Sequence, residues 1–132
     1  MITEDYVSFE SAKLLKEKGF NEKCKRMFRV SKNSSPKFYD SSEWITNEDL
    51  CDLYQNCEFA TIPTLQMAMK WLREIHGFDI DISIEYTNKK VYYYFILKTV
   101  IRDIDCLHSE TNFESYEQAC EDAIKYCLEN LV

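Results

Sequence analysis

The sequence predicts an α+β fold in which an antiparallel sheet carries three main helices on one face, in the order α-β-(short α)-α-β-β-α. Three observations predict it. Residues Phe78 to Tyr86 alternate strictly between apolar and polar side chains, the period of a half-buried strand. Three segments open with the same helix-starting chemistry, and both glycines of the chain stand where two of those helices should end. The 132 residues are 45% hydrophobic and 14% aromatic, enough to build one compact domain over 1–132 and too apolar for a disordered polyampholyte.

Taken in chain order, the first helix is announced by Ser8-Phe9-Glu10-Ser11-Ala12, where a hydroxyl can accept from the orphan N–H groups of the first turn. Gly19 follows Lys16-Glu17-Lys18 and is placed to adopt the left-handed conformation that closes it. Lys23 to Val30 alternates weakly and reads as a strand, whereas Ser31 to Ser42 is rich in turn residues. Thr46-Asn47-Glu48-Asp49 opens a short helix, and Phe59 to Ile62 forms a brief strand before Pro63. The central helix starts at Thr64-Leu65-Gln66-Met67-Ala68, is apolar over a wide arc, and stops at Gly77. His76 then lies in a last turn, where the helix dipole favours a cation. The last helix starts at Ser115-Tyr116-Glu117-Gln118-Ala119 and repeats apolar residues from 116 to 131 at helical spacing, with Glu117, Glu121, Asp122, Lys125 and Glu129 on the other side.

Between the second and third of these helices lies a hairpin. Thr87-Asn88-Lys89-Lys90 makes the turn, and a strand from Val91 to about Ile101 runs back. The register that keeps apolar residues together pairs Tyr86 with Val91, Ile84 with Tyr93, Ile82 with Phe95 and Ile80 with Leu97. The opposite face then carries Asp79, Asp81 and Glu85 beside Tyr92, Tyr94 and Ile96. These six are the candidate interface residues, because large aromatics among acids suit contact with a basic partner or a second copy of the chain. The competing reading is that another part of the same chain covers them.

Composition excludes several classes of function. With two glycines and two prolines there is no glycine-rich phosphate loop. The longest apolar run, Val91 to Leu97, is far short of a membrane span, and the polar start suggests a cytoplasmic protein. The net charge of −7 opposes nonspecific nucleic-acid or membrane binding. The charge is uneven: residues 1–40 hold nine Lys/Arg against six Asp/Glu, and residues 101–132 hold two against eight. Lys23, Lys25, Arg26 and Arg29 make a small basic cluster that reads more simply as an exposed charged strand. The element order from residue 64 on, α-β-β-β-α, is also that of double-stranded-RNA-binding domains. Those domains grip phosphates with lysines at the start of their last helix, where this chain has Glu117, Glu121 and Asp122.

The six cysteines show no C-x-x-C spacing, and Cys120 and Cys127 stack on one helix face about 10 Å apart, beyond disulfide reach. They read as reduced, structural thiols, with no metal and no cofactor. Asp103, Asp105, Cys106, His108 and Glu110 form the one polar cluster that could serve a small metal- or Cys/His-dependent enzyme, and an acidic solvated loop is the simpler reading. The start to Phe20, the string Pro63-Thr64-Leu65-Gln66-Met67-Ala68-Met69-Lys70-Trp71-Leu72-Arg73-Glu74, and Phe113-Glu114-Ser115-Tyr116-Glu117 together resemble a family of small uncharacterised cytosolic proteins. Its members occur in anaerobic gut bacteria and their phages and mobile elements; the resemblance implies that setting and no activity. The expectation is therefore a non-enzymatic protein-binding or regulatory module. A phage setting adds an alternative, an acidic decoy blocking a nucleic-acid-binding host defence protein.

Overall fold

The computed structural model describes residues 2–99, 107–109 and 112–132, with His108 described by its backbone alone. The class is α+β, and the chain divides into two compact units, one of residues Tyr6–Thr64 and one of the N-terminal residues through Asp5 together with Leu65–Val132.

The first unit holds α1 (Phe9–Glu17), β1 (Cys24–Val30), β2 (Lys37–Ile45), α2 (Asn47–Leu53) and β3 (Glu58–Ile62), with its strands ordered β2-β1-β3, all antiparallel. Ser8 caps α1 by accepting from the Ser11 N–H at 3.1 Å. Gly19, at φ 95°, ends it: its N–H reaches the Lys16 carbonyl and the Phe20 N–H reaches that of Leu15, a closure that needs a left-handed residue. Thr46 and Asp49 form a reciprocal capping box at the start of α2. Phe9 meets Phe28 edge-on at 4.5 Å, while Met27, Leu50 and Phe59 form a buried cluster. Since Met27 and Phe28 are consecutive strand residues, α1 and α2 cover opposite faces of this sheet.

The second unit holds α3 (Leu65–His76), β4 (Phe78–Thr87), β5 (Lys90–Thr99), β6 (Leu107–His108) and α4 (Tyr116–Asn130), with strands ordered β4-β5-β6. The Asp5 carbonyl accepts from the Leu65 N–H at 2.9 Å, and Gly77 (φ 75°) closes α3 through the Arg73 carbonyl. Ser115 caps α4 through the Gln118 N–H. Asn88 and Lys89 both have positive φ (52° and 65°), the two-residue turn that matches strand twist. All ten pairs of the β4–β5 ladder run without interruption from Phe78↔Thr99 to Thr87↔Lys90, in the register the alternation predicts. Helices α3 and α4 pack on this hairpin, where Phe95 and Leu97 join Leu72, Ile124 and Leu128 among the buried side chains.

Two features depart from the sequence reading. The strands form two three-stranded sheets, so three helices do not share one face of one sheet. The turn-rich stretch after Ser31 also yields a strand, β2, which shows no buried alternation because seven of its nine residues are exposed.

Candidate functional site

The six candidate residues share one face of the β4–β5 hairpin. Asp79 lies opposite Lys98, Asp81 opposite Ile96, Ser83 opposite Tyr94 and Glu85 opposite Tyr92. Asp81 and Glu85 are exposed, and Asp79, Tyr92, Tyr94 and Ile96 are half-buried. Lys98 Nζ stands 3.8 Å from the Asp81 carboxylate, a solvated diagonal pair worth no more than about 1 kcal/mol. The face is therefore acidic, with aromatic and aliphatic area between its carboxylates.

The other face changes character along the hairpin. Near its base Phe95 and Leu97 are 6% and 4% exposed, and Phe95 packs against Phe113 (6.1 Å) and Tyr126 (6.4 Å). Tyr93 meets Tyr116 at 6.5 Å. Toward the turn the cover ends: Ile84 is 64% exposed, Tyr86 71% and Val91 44%. Sequence alternation put Ile84, Tyr86, Val91, Tyr93, Phe95 and Leu97 on one apolar face. Length is the signal that could have shown where its cover ends, since a ten-residue strand spans about 33 Å, while helices of 12 and 15 residues reach only about 18 and 22 Å. The distal hairpin thus shows apolar side chains on both faces.

Beside the base of the hairpin, β5 and α4 flank an open cleft of about 450 Å³ lined by Phe95, Phe113, Tyr126, Asp122, Lys125 and Glu129, among others. Burial pushes the Asp122 carboxyl above its ordinary value, and Lys125 stands 3.9 Å from Glu129. Among the described residues its lining holds no cysteine or histidine, and the hydroxyl of Ser109, which also lines it, accepts from the Phe95 N–H at 2.8 Å.

Three of the four residues of the basic cluster, Lys25, Arg26 and Arg29, are engaged within the first unit. Lys25 lies 4.9 Å from the Trp44 ring, Arg26 lies 4.6 Å from the Tyr6 ring and 3.8 Å from Asp40, and Arg29 lies 5.5 and 5.1 Å from the Tyr39 and Tyr54 rings. These cation–π contacts pair the charges with aromatic faces from other segments. Of the polar cluster at 103–110, Asp103, Asp105, Cys106, Glu110 and the His108 side chain lie outside the described residues. Among the described residues, no group of three His, Cys, Asp or Glu side chains is placed to hold a metal, and no helix is long and apolar enough to cross a membrane.

No protein-family model, curated protein or solved structure matches the chain.

Proposed function

We propose that this protein is a non-enzymatic binding module that docks a basic protein partner on the β4–β5 hairpin. One observation carries the reading: the distal hairpin exposes Ile84, Tyr86 and Val91 on one face, while Tyr92 and Tyr94 stand among Asp79, Asp81 and Glu85 on the other. Tyrosine supplies apolar area with a hydroxyl that tolerates water, and carboxylates around it select and steer a positive surface. Contiguous apolar exposure of this kind marks contact sites.

The test is the double variant Tyr92→Ser, Tyr94→Ser in the full chain. Immobilised parent protein should retain a stoichiometric protein from a bacterial lysate, and the variant should lose it at an unchanged melting temperature. A variant that melts much earlier while retaining the same protein would show that the tyrosines serve internal packing and would end this reading.

A further inference from the structure

We infer that β4 receives its partner as an added β-strand: its outer edge takes an extended polypeptide segment in which apolar residues alternate with Lys or Arg. The inference deepens the binding reading above and rests on it.

The direction of the β4 backbone groups follows from the far side of β5. The Tyr93 N–H donates to the Phe113 carbonyl (2.8 Å), and the Ser109 N–H donates to the Phe95 carbonyl (2.9 Å). Odd-numbered residues of β5 therefore turn their backbone groups away from β4, and the even-numbered ones turn toward it. Their partners are Asp79, Asp81, Ser83 and Glu85. The N–H and C=O groups of Ile80, Ile82 and Ile84 consequently face outward. β4 is the terminal strand of its sheet, and no described residue hydrogen-bonds to those groups.

Protected edges carry Lys, Pro, bulges or very short strands. From Phe78 to Thr87 there is no Lys, Pro or Gly, and the register never shifts. The side chains define what would fit. On one face an added strand would extend the row Ile80, Ile82, Ile84 with apolar residues, and on the other it would lie beside Asp79, Asp81 and Glu85. A second copy of β4 satisfies this less well. Antiparallel self-pairing about Ile82 sets Asp79 against Glu85, and pairing about Ser83 sets Asp81 against Glu85. Like charges directly opposite are unfavourable, so the acids disfavour both of these self-pairs and favour a basic strand.

The experiment uses the intact chain and a capped synthetic peptide alternating valine and lysine, read by calorimetry, with a valine–glutamate peptide as control. Two further peptides carry backbone N-methyl groups on every second residue, one on the valines and one on the lysines. The valine–lysine peptide should bind, and methylation in one phase should weaken it by at least about tenfold while the other phase changes little, because only alternate N–H groups of a strand face its neighbour. The Ile84→Pro variant, which removes one outward N–H and no ladder bond to β5, should bind the unmethylated peptide at least about tenfold more weakly. If that variant fails to fold, the two methylated peptides decide the question on the parent chain. Equal binding of both methylated peptides, or equal binding of the glutamate peptide, overturns strand addition. So does absence of binding by the valine–lysine peptide at about 1 mM. None of these failures touches the tyrosine experiment, which tests the hairpin as a protein-binding surface by itself.

Discussion

Asn47 is the first residue of α2 and is 6% exposed. Its Nδ2 donates to the Phe20 carbonyl at 2.7 Å, and its Oδ1 accepts from the Thr61 N–H at 2.8 Å. Phe20 and Thr61 are each 1% exposed, so neither backbone group has water to turn to. Replacing Asn47 with Leu keeps the branched side-chain skeleton and strands both groups, at roughly 1–3 kcal/mol each and about 4 kcal/mol together. For a unit of this size about 1 kcal/mol moves the melting temperature by roughly 4–8 °C, so the variant should lose about 15 °C or more. Asn21 is the control: it bonds the Glu48 N–H (2.9 Å) and carboxylate (3.2 Å) at an exposed position, and Asn21→Ala should cost no more than about 1 kcal/mol. Asn47→Asp separates the two bonds, because it keeps an acceptor for Thr61 and sets a carboxylate oxygen against the Phe20 carbonyl. Urea unfolding followed by circular dichroism gives the energies, and hydrogen exchange at the Thr61 amide locates them. An Asn47→Leu protein within about 0.5 kcal/mol of the parent would refute the reasoning.

Two other outcomes are expected. The His76 ring packs edge-on to Trp71 at 4.6 Å, its Nε2 is sealed from solvent without a partner, and burial lowers its pKa below the ordinary 6.5. The unfolded chain then takes the proton first, so stability should fall as pH drops through about 6.5, and His76→Phe should flatten that dependence; parallel melting curves for the two proteins between about pH 7.5 and 5.5 would contradict it. Burial pushes the thiols of Cys24 and Cys120 up to about 11 and that of Cys127 to about 12, whereas Cys51 is exposed. An aromatic disulfide reagent at about pH 8 should modify Cys51 at once and these three only after denaturation, when all six thiols of the chain should titrate; rapid labelling of Cys120 or Cys127 in the native protein would be the contrary result.

The hairpin was legible in the sequence because alternation and turn chemistry are local: Phe78 to Tyr86 carries its own period, and Asn88-Lys89 accepts the positive φ the turn needs. Helix ends were legible for the same reason at Ser8, Gly19, Thr46, Gly77 and Ser115. β2 was not, since Asp40, Ser41, Ser42 and Glu43 have little strand propensity and the strand exists by pairing with β1. The fate of the basic cluster was hidden too. Tyr6, Trp44 and Tyr54, which take up Arg26, Lys25 and Arg29, lie in segments distant along the chain. Period 2 correctly placed Asp79, Asp81, Glu85, Tyr92, Tyr94 and Ile96 on one face. It could not say where along the hairpin the helices stop, because cover depends on the length of elements from elsewhere.

The edges of the two sheets show that an open strand is not simply what this chain leaves by default. On β3 the outward Thr61 N–H is taken by Asn47 and the outward Phe59 carbonyl by Lys16 Nζ at 2.8 Å, so side chains from α2 and α1 close an edge that no described strand covers. On β2 the pairing jumps from Cys24↔Ile45 to Arg26↔Asp40, a bulge that breaks the edge after a Lys at position 37. β6 is two residues long. Each is a recognised way to prevent accidental strand addition. β4 has ten residues in unbroken register, outward groups on Ile80, Ile82 and Ile84, and, among the described residues, carboxylates as its guard. Carboxylates repel another acidic strand and attract a basic one. A guard of that kind discriminates among strands by charge where a proline or a bulge would refuse them all, which is the property expected of an edge that is used.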